Sequence, residues 1–506
     1  MIPWETASPR RIYLAVAAAA VVVYLGALAN RFAMDDLYIV LYNDLVHHPS
    51  GVWRAFAEPY WPAQFGGQMY RPLTVATFAV DWSLGSVWWF HAANLLGHAG
   101  ASIAVAALAR CWAGPAAAVV AGVVFAWHPV HVEAVANVVG RGELLAALFT
   151  GLAVYAALVR HSPGWSTAAL VAGLLSKENA AVAPGLIVWG WLLGIDRPTR
   201  RKAAVFVASW AAIAVAYLAV RTTVLAPYEQ YHALAPVFVG AGPGPVRLTA
   251  VAALADVSRL LVFPLHLRAD YSPAERTLVT SPLDGRLLLG VACLVTWGAL
   301  LGLAWRRQRR VEAFGLGWIA IAFLPVANLL FPIGVLTAER TLYLPSAGLA
   351  LAVGALLAPA MRGRRAVLIA GVVLVVAGAR TALRAPVWKD DARLALSMLE
   401  DSPRSYRGLS HAGALYLVRR QPAKALAAYR EAAKVFDRDP QYFYSAADAA
   451  FQLGQPQVAD SLLAHADRLC HPCLFHYYFQ AAAARSRGDS AVAESLLVRA
   501  RRWERP

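Results

Sequence analysis

Charge is scarce in this sequence. Asp, Glu, Lys and Arg make up 15% of its 506 residues, where soluble domains carry roughly 25%. The mean hydropathy is +0.50, so most of the chain must be solvated by lipid. Acidic residues are the rarer sign, and the net charge is +16. The basic residues gather in short loops between apolar runs, as the positive-inside rule expects. The polar C-terminal part has no basic stripe with interleaved aromatics, which excludes nucleic acid as a partner. Cysteine is rare as well. Cys111 and Cys293 lie in apolar runs and read as small buried hydrophobes. Cys470 and Cys473 form a CHPC, read as a disulfide or two free thiols because zinc would need further ligands.

What is present is a long series of apolar runs: 13–29, 92–109, 116–127, 144–159, 165–175, 180–193, 203–220, 251–263, 287–305, 314–330, 342–357 and 366–379. The first run has no small-residue cleavage site after it and reads as a retained anchor. Setting Arg10 and Arg11 inside places Arg110, Arg160, residues 197–202, 306–310 and 362–365 inside in turn. The count closes only if 251–263 makes no net crossing and is re-entrant or lies at the outer surface. The expectation is eleven spans in residues 1–383 and an external domain in 384–506.

The other face collects groups of mixed sign: Asp35, Asp36, Arg71, His91, His128, His131, Glu133, Arg141, Glu143, Lys177, Glu178, Arg221, Arg268, Asp270, Glu339 and Arg340. Ionisable residues at a hydrocarbon boundary are costly and mark function by default. Asp35 and Asp36 follow the first apolar run directly. Trp53, Tyr60, Trp61, Trp88 and Trp89 in the next loop read as headgroup anchors. His91, Asn94 and His98 share one helical face, which must point into the bundle or a cavity.

After Arg384 a period of 34 residues sets in. Ala425, Ala459 and Ala493 are in register, as are Ala432, Ala466 and Ala500. Small residues where paired helices cross, at this period, are the tetratricopeptide (TPR) pattern. About three repeats run over 406–439, 440–473 and 474–506, with 388–401 as a capping helix.

Several stretches together resemble the transmembrane-and-TPR-containing (TMTC-like) glycosyltransferases of the GT-C superfamily. They are Tyr70-Arg71-Pro72-Leu73-Thr74 with Phe90-His91, His128-Pro129-Val130-His131-Val132-Glu133, and Gly140-Arg141-Gly142-Glu143. Leu175-Ser176-Lys177-Glu178, Asp270-Tyr271-Ser272 and Glu339-Arg340-Thr341-Leu342-Tyr343 complete the set. The order matches over essentially the whole chain. Leu342 stands where that family often has Tyr, Glu143 where Asp is usual, and the repeats are fewer. The resemblance implies an all-α GT-C membrane bundle followed by a TPR solenoid. It also implies transfer of a sugar, mannose or a related hexose, from a polyprenyl-phosphate donor at the non-cytoplasmic face. Eukaryotic members resemble O-mannosyltransferases that use dolichyl-phosphate mannose. Composition and the short repeat array point to a bacterial inner membrane with the site and repeats periplasmic.

Inverting transfer from a lipid phosphate to a hydroxyl needs a base, cations for the leaving phosphate and a sugar pocket. Asp35 or Asp36 is the expected base; Arg340, Arg268, Lys177 and Arg141 are the expected phosphate ligands. Each cation has a carboxylate near it in sequence, so pairing with Glu339, Asp270, Glu178 and Glu143 is the structural alternative. Arg71, His91, His128, His131, Glu133, Glu143, Glu178, Asp270, Tyr271 and Glu339 are the expected donor and acceptor pocket. No cofactor is required on this reading; a divalent metal on His128, His131 and Glu133 is the less favoured option. The acceptor is a protein Ser/Thr hydroxyl, a glycan or a lipid, engaged in part through the repeats. The rival classes are a non-enzymatic membrane-anchored TPR scaffold and a lipid-linked glycan transporter or polymerase.

Overall fold

The computed structural model describes residues 7–228, 234–271 and 273–469, and beyond them 478, 481, 484–485 and 488–503. Every regular element among these residues is a helix. Six are long and apolar enough to cross a membrane, which makes this an all-α polytopic membrane fold. The CHPC motif lies outside the described residues.

The first helix, Pro9–Val22, starts where Ser8 Oγ accepts the Arg11 N–H and Pro9 presets the first turn. The runs 92–109 and 116–127 form one element, Val87–Ala126, broken at Gly114 with φ of 89° and followed by Pro115. That φ costs only glycine nothing. The chain turns back there, and any side chain on Gly122 would meet Ala106 and Val16. The core gathers where the two halves meet Pro9–Val22, Arg141–Leu158, Arg310–Phe323 and Tyr343–Leu357, around Phe125, Leu144, Trp318, Tyr343 and Leu351. Arg200–Leu225, Gly285–Arg306 and Arg364–Arg384 bury only 6%, 17% and 11% of their apolar windows. Lipid, not protein, is the solvent of these helices.

Three expectations need correction. The run 314–330 is not one helix: Arg310–Phe323 ends before Pro325, and the chain turns at Asn328, whose Nδ2 donates to Val335 O at 3.0 Å. Cys111 is exposed and Cys293 half-buried, so neither is the buried hydrophobe expected. Tyr60 is 4% exposed and is no headgroup anchor, in contrast to Trp53 at 77%.

Helix Pro243–Val262 covers the 251–263 run. Its charged residues bond loops along its whole length. Arg247 donates to Asn328 O and Leu330 O, Asp256 accepts from Arg276, and Arg259 donates to His266 O. A helix whose charges are satisfied this way lies against those loops.

In the C-terminal part, Tyr406–Val418 and Pro440–Gln452 begin 34 residues apart, as do Pro422–Val435 and Pro456–Leu469. Ala425, Ala432, Ala459, Ala466 and Ala493 are each 0% exposed, so the small residues of the period are the helix crossings. Helix Asp391–Asp401 precedes the pairs and packs on Tyr406–Val418. This part sits on the loops that follow the first helix. Arg31 N donates to Lys389 O at 2.7 Å, Met34 N to Asp391 Oδ1 at 2.7 Å, and Gln441 Nε2 to Tyr38 Oη at 2.8 Å.

Candidate active site

Asp35 and Asp36 are adjacent, yet they are in different chemical situations. Asp36 is 1% exposed. Its Oδ2 accepts from Ala33 N at 3.1 Å and Val138 N at 3.4 Å, and its Oδ1 from Val139 N at 2.8 Å. Burial pushes its carboxyl up to about 7, against the pull of those N–H groups. Asp36 therefore ties the first loop to the turn before Arg141. Asp35 is half-buried, and no described side chain hydrogen-bonds to or ion-pairs with its carboxylate. Its charge is felt by Arg340.

Arg340 closes the opposite side. Its backbone N donates to Glu133 Oε2 at 2.9 Å and its Nη1 to Glu133 Oε1. Glu133 is 3% exposed, whereas the Arg340 side chain keeps 33% exposure. Both residues, with Met34, Ala269, Asp270, Tyr271 and Arg407, line a small cleft. Lys177 pairs with Glu143 and lies within electrostatic reach of Arg71 and Arg340. Arg71 Nη2 pairs with Glu178 Oε2 at 3.0 Å and stands over the Tyr60 ring, 4.8 Å from its centroid. The three ion pairs thus lie within electrostatic reach of one another, and Asp35 within reach of Arg340.

The expected neighbour pairings are replaced by others. Arg340 pairs with Glu133, Lys177 with Glu143, Arg268 with Glu275 at 2.8 Å, and Arg141 with Asp81. Arg141 is 2% exposed. It also donates to Asn94 Oδ1 at 2.8 Å, Phe90 O at 2.6 Å and Thr77 Oγ1 at 3.2 Å, so it is enclosed away from the cleft. Glu339 accepts from Arg268 N at 2.5 Å and Tyr271 Oη at 3.1 Å. Asp270 accepts from Ser405 Oγ at 2.5 Å and faces Arg407 at 3.7 Å.

His91, His98, His128 and His131 are interior. His91, Asn94 and His98 are each 0% exposed. His98 bonds Tyr343 Oη at 2.7 Å and Ala126 O at 3.0 Å. His128 Nδ1 accepts the Val130 N–H while Nε2 meets Leu261 O at 2.9 Å, the neutral tautomer; burial holds its pKa down at about 4. His131 Nε2 meets Ser346 Oγ at 2.6 Å. Among the described residues, no cluster of three or more His, Cys, Asp and Glu is placed to hold a metal ion. Tyr60, Asp81, Glu275, Asp391 and Arg407 are the participants that sequence reasoning missed. Asp81, Asp391 and Arg407 meet their partners across the fold, while Tyr60 and Glu275 meet theirs within one loop.

No family model matches the chain, and no solved structure matches it. Curated proteins do. The human protein O-mannosyl-transferase TMTC4 is 28% identical over 80% of this chain and 63% of its own length. The human protein O-mannosyl-transferase TMTC3 is 28% identical over 64% of this chain and 40% of its own. The chain is similar to these TMTC proteins over much of its length. A third relative, the Caenorhabditis elegans protein O-mannosyl-transferase F38B6.6, is 27% identical over 65% of this chain and 49% of its own length. The chain spans less than two thirds of each of these relatives.

Proposed function

We propose that this TMTC-like chain is an inverting membrane glycosyltransferase of the GT-C type. It moves mannose or a related hexose from a polyprenyl-phosphate donor to a hydroxyl, a protein Ser or Thr first, at the extracytoplasmic face of a bacterial inner membrane. The names of its relatives support protein O-mannosylation. One observation supports the mechanism: Asp35 holds a half-buried carboxylate with which no described side chain pairs, within electrostatic reach of Arg340.

On this reading Asp35 takes the acceptor proton as the hydroxyl oxygen bonds to the anomeric carbon from the face opposite the phosphate. The carbon–phosphate-oxygen bond breaks, and the polyprenyl phosphate leaves with the electron pair. Arg340, the most exposed of the three cations, meets that phosphate, with Lys177 and Arg71 behind it. Glu133, Glu143 and Glu178 hold the cations in place before the donor arrives, a preorganised field that does not have to assemble during the reaction. The mechanism invokes no cofactor.

The test is transfer from a panel of radiolabelled polyprenyl-phosphate sugars to acceptors in membranes, with wild type, Asp35→Asn and Asp36→Asn at matched expression. Loss of transfer in Asp35→Asn without loss of folded protein is expected. Full activity in Asp35→Asn would remove the proposed base.

A further inference from the structure

The residue before the proposed base is strained. Met34 has φ of +57°, a left-handed conformation that costs an L side chain free energy and persists only where the surroundings hold it. What holds it comes from the far end of the chain. Met34 N donates to Asp391 Oδ1 at 2.7 Å, across 357 residues. The flanking Arg31 N donates to Lys389 O at 2.7 Å, so the segment is clipped twice to the start of the C-terminal domain. Asp391 opens helix Asp391–Asp401, anchored at Asp390, whose side chain accepts the Arg393 N–H. The same domain contributes to the cleft directly: Arg407 lines it, and His411, one turn further on that helix, is within electrostatic reach of both Asp391 and Asp35.

We propose that Asp391 is a positioning residue: its carboxylate fixes the Met34 peptide in the left-handed region and so sets where the Asp35 carboxylate stands relative to Arg340, which makes the C-terminal domain a structural part of the active site. The inference rests on the reading of Asp35 as the base. Asp391 touches no reacting atom. Its effect passes through one backbone conformation, and that makes it separable from a general role in folding.

The separation uses glycine, which adopts positive φ without cost. In the full chain, Asp391→Ala, Asp391→Asn, Met34→Gly and the double variant Met34→Gly/Asp391→Ala are compared in two measurements. One is kcat and KM for transfer from polyprenyl-phosphate mannose to a fixed peptide. The other is amide hydrogen exchange over residues 31–36 in detergent. Asp391→Ala is expected to lower kcat about tenfold at unchanged donor KM and to speed exchange about tenfold, the size of releasing a left-handed L residue. In the Met34→Gly background the same substitution should change both by less than about twofold, and Asp391→Asn, which keeps the accepting oxygen, should behave as wild type. Equal losses in both backgrounds, or unchanged exchange in Asp391→Ala, would overturn the proposal. Wild-type membranes that move no sugar would instead defeat the glycosyl-transfer reading, and the exchange comparison would still decide the clamp by the same criterion.

Discussion

Arg340 is paired with Glu133, 207 residues away, and not with Glu339 beside it. The one carboxylate accepts from both the backbone N–H and the guanidinium of Arg340, so the N-terminal end of Tyr343–Leu357 is fastened to the segment after Val87–Ala126 by two bonds at once. Glutamine at 133 offers one accepting oxygen and turns an N–H₂ towards the other donor. Glu133→Gln is therefore expected to lower stability by about 1–3 kcal/mol, the cost of an unmet buried polar group. Thermal unfolding in detergent checks it, and a transition unchanged from wild type would count against the pairing.

Asp35 and Asp36 should separate cleanly on substitution. Asp35→Asn removes a base, so transfer falls by about 10²–10⁴-fold with the unfolding transition in place. Asp36→Asn sets an N–H₂ against backbone N–H groups from Ala33, Val138 or Val139 and lowers stability by about 1–3 kcal/mol. Activity per folded molecule should then survive far better in Asp36→Asn than in Asp35→Asn.

The pH dependence of Asp36 has a definite sign. Its folded carboxyl, near 7, lies above the unfolded value of 3.8. The folded state then holds the proton more tightly, so this group's stabilising share is complete below about pH 4 and is lost as pH rises to about 7. Asp36→Asn lacks that group. Denaturation of wild type and variant, measured from pH 4 to 7.5, should show the variant with the flatter fall; parallel curves would place the Asp36 pKa near its ordinary value.

Much of this was legible in the chain itself. The membrane half, the gathering of mixed charge at helix ends, and the 34-residue period all follow from hydropathy, the spacing of apolar runs and small residues in register. The partners were not. Arg141 with Asp81 and Arg340 with Glu133 join segments whose approach is set by tertiary packing, while residues adjacent in sequence diverge around each turn. Asp35 and Asp36 could not be told apart because Val138 and Val139, more than a hundred residues on, decide which one is consumed.

Close helix contact in the bundle depends on two facing glycines. A Cβ on Gly315 would lie 2.3 Å from Gly348 O, and one on Gly348 would lie 2.3 Å from Gly315 O. Backbone on both sides leaves nothing flexible to yield, so Gly315→Ala or Gly348→Ala must push Arg310–Phe323 and Tyr343–Leu357 apart. Each should cost about 1–3 kcal/mol in the unfolding of purified protein. The helix ending at Leu357 begins beside Arg340, so transfer should fall along with stability.

Asp270 ties the two parts of the chain together. It is 7% exposed, and Ser405 Oγ donates to its carboxylate while Ser402 Oγ donates to its carbonyl at 2.9 Å. Asp270→Ala strands Ser405 and leaves the Arg407 guanidinium without its anion, whereas Asp270→Asn keeps an accepting oxygen for Ser405. Both ends of this contact border the cleft. Asp270→Ala should therefore expose the segment around Ser402 to limited proteolysis in membranes and reduce transfer, with Asp270→Asn intermediate on both counts. Equal cleavage of all three proteins would mean that the remaining contacts, Met34 with Asp391 and Tyr38 with Gln441, hold the domain in place by themselves.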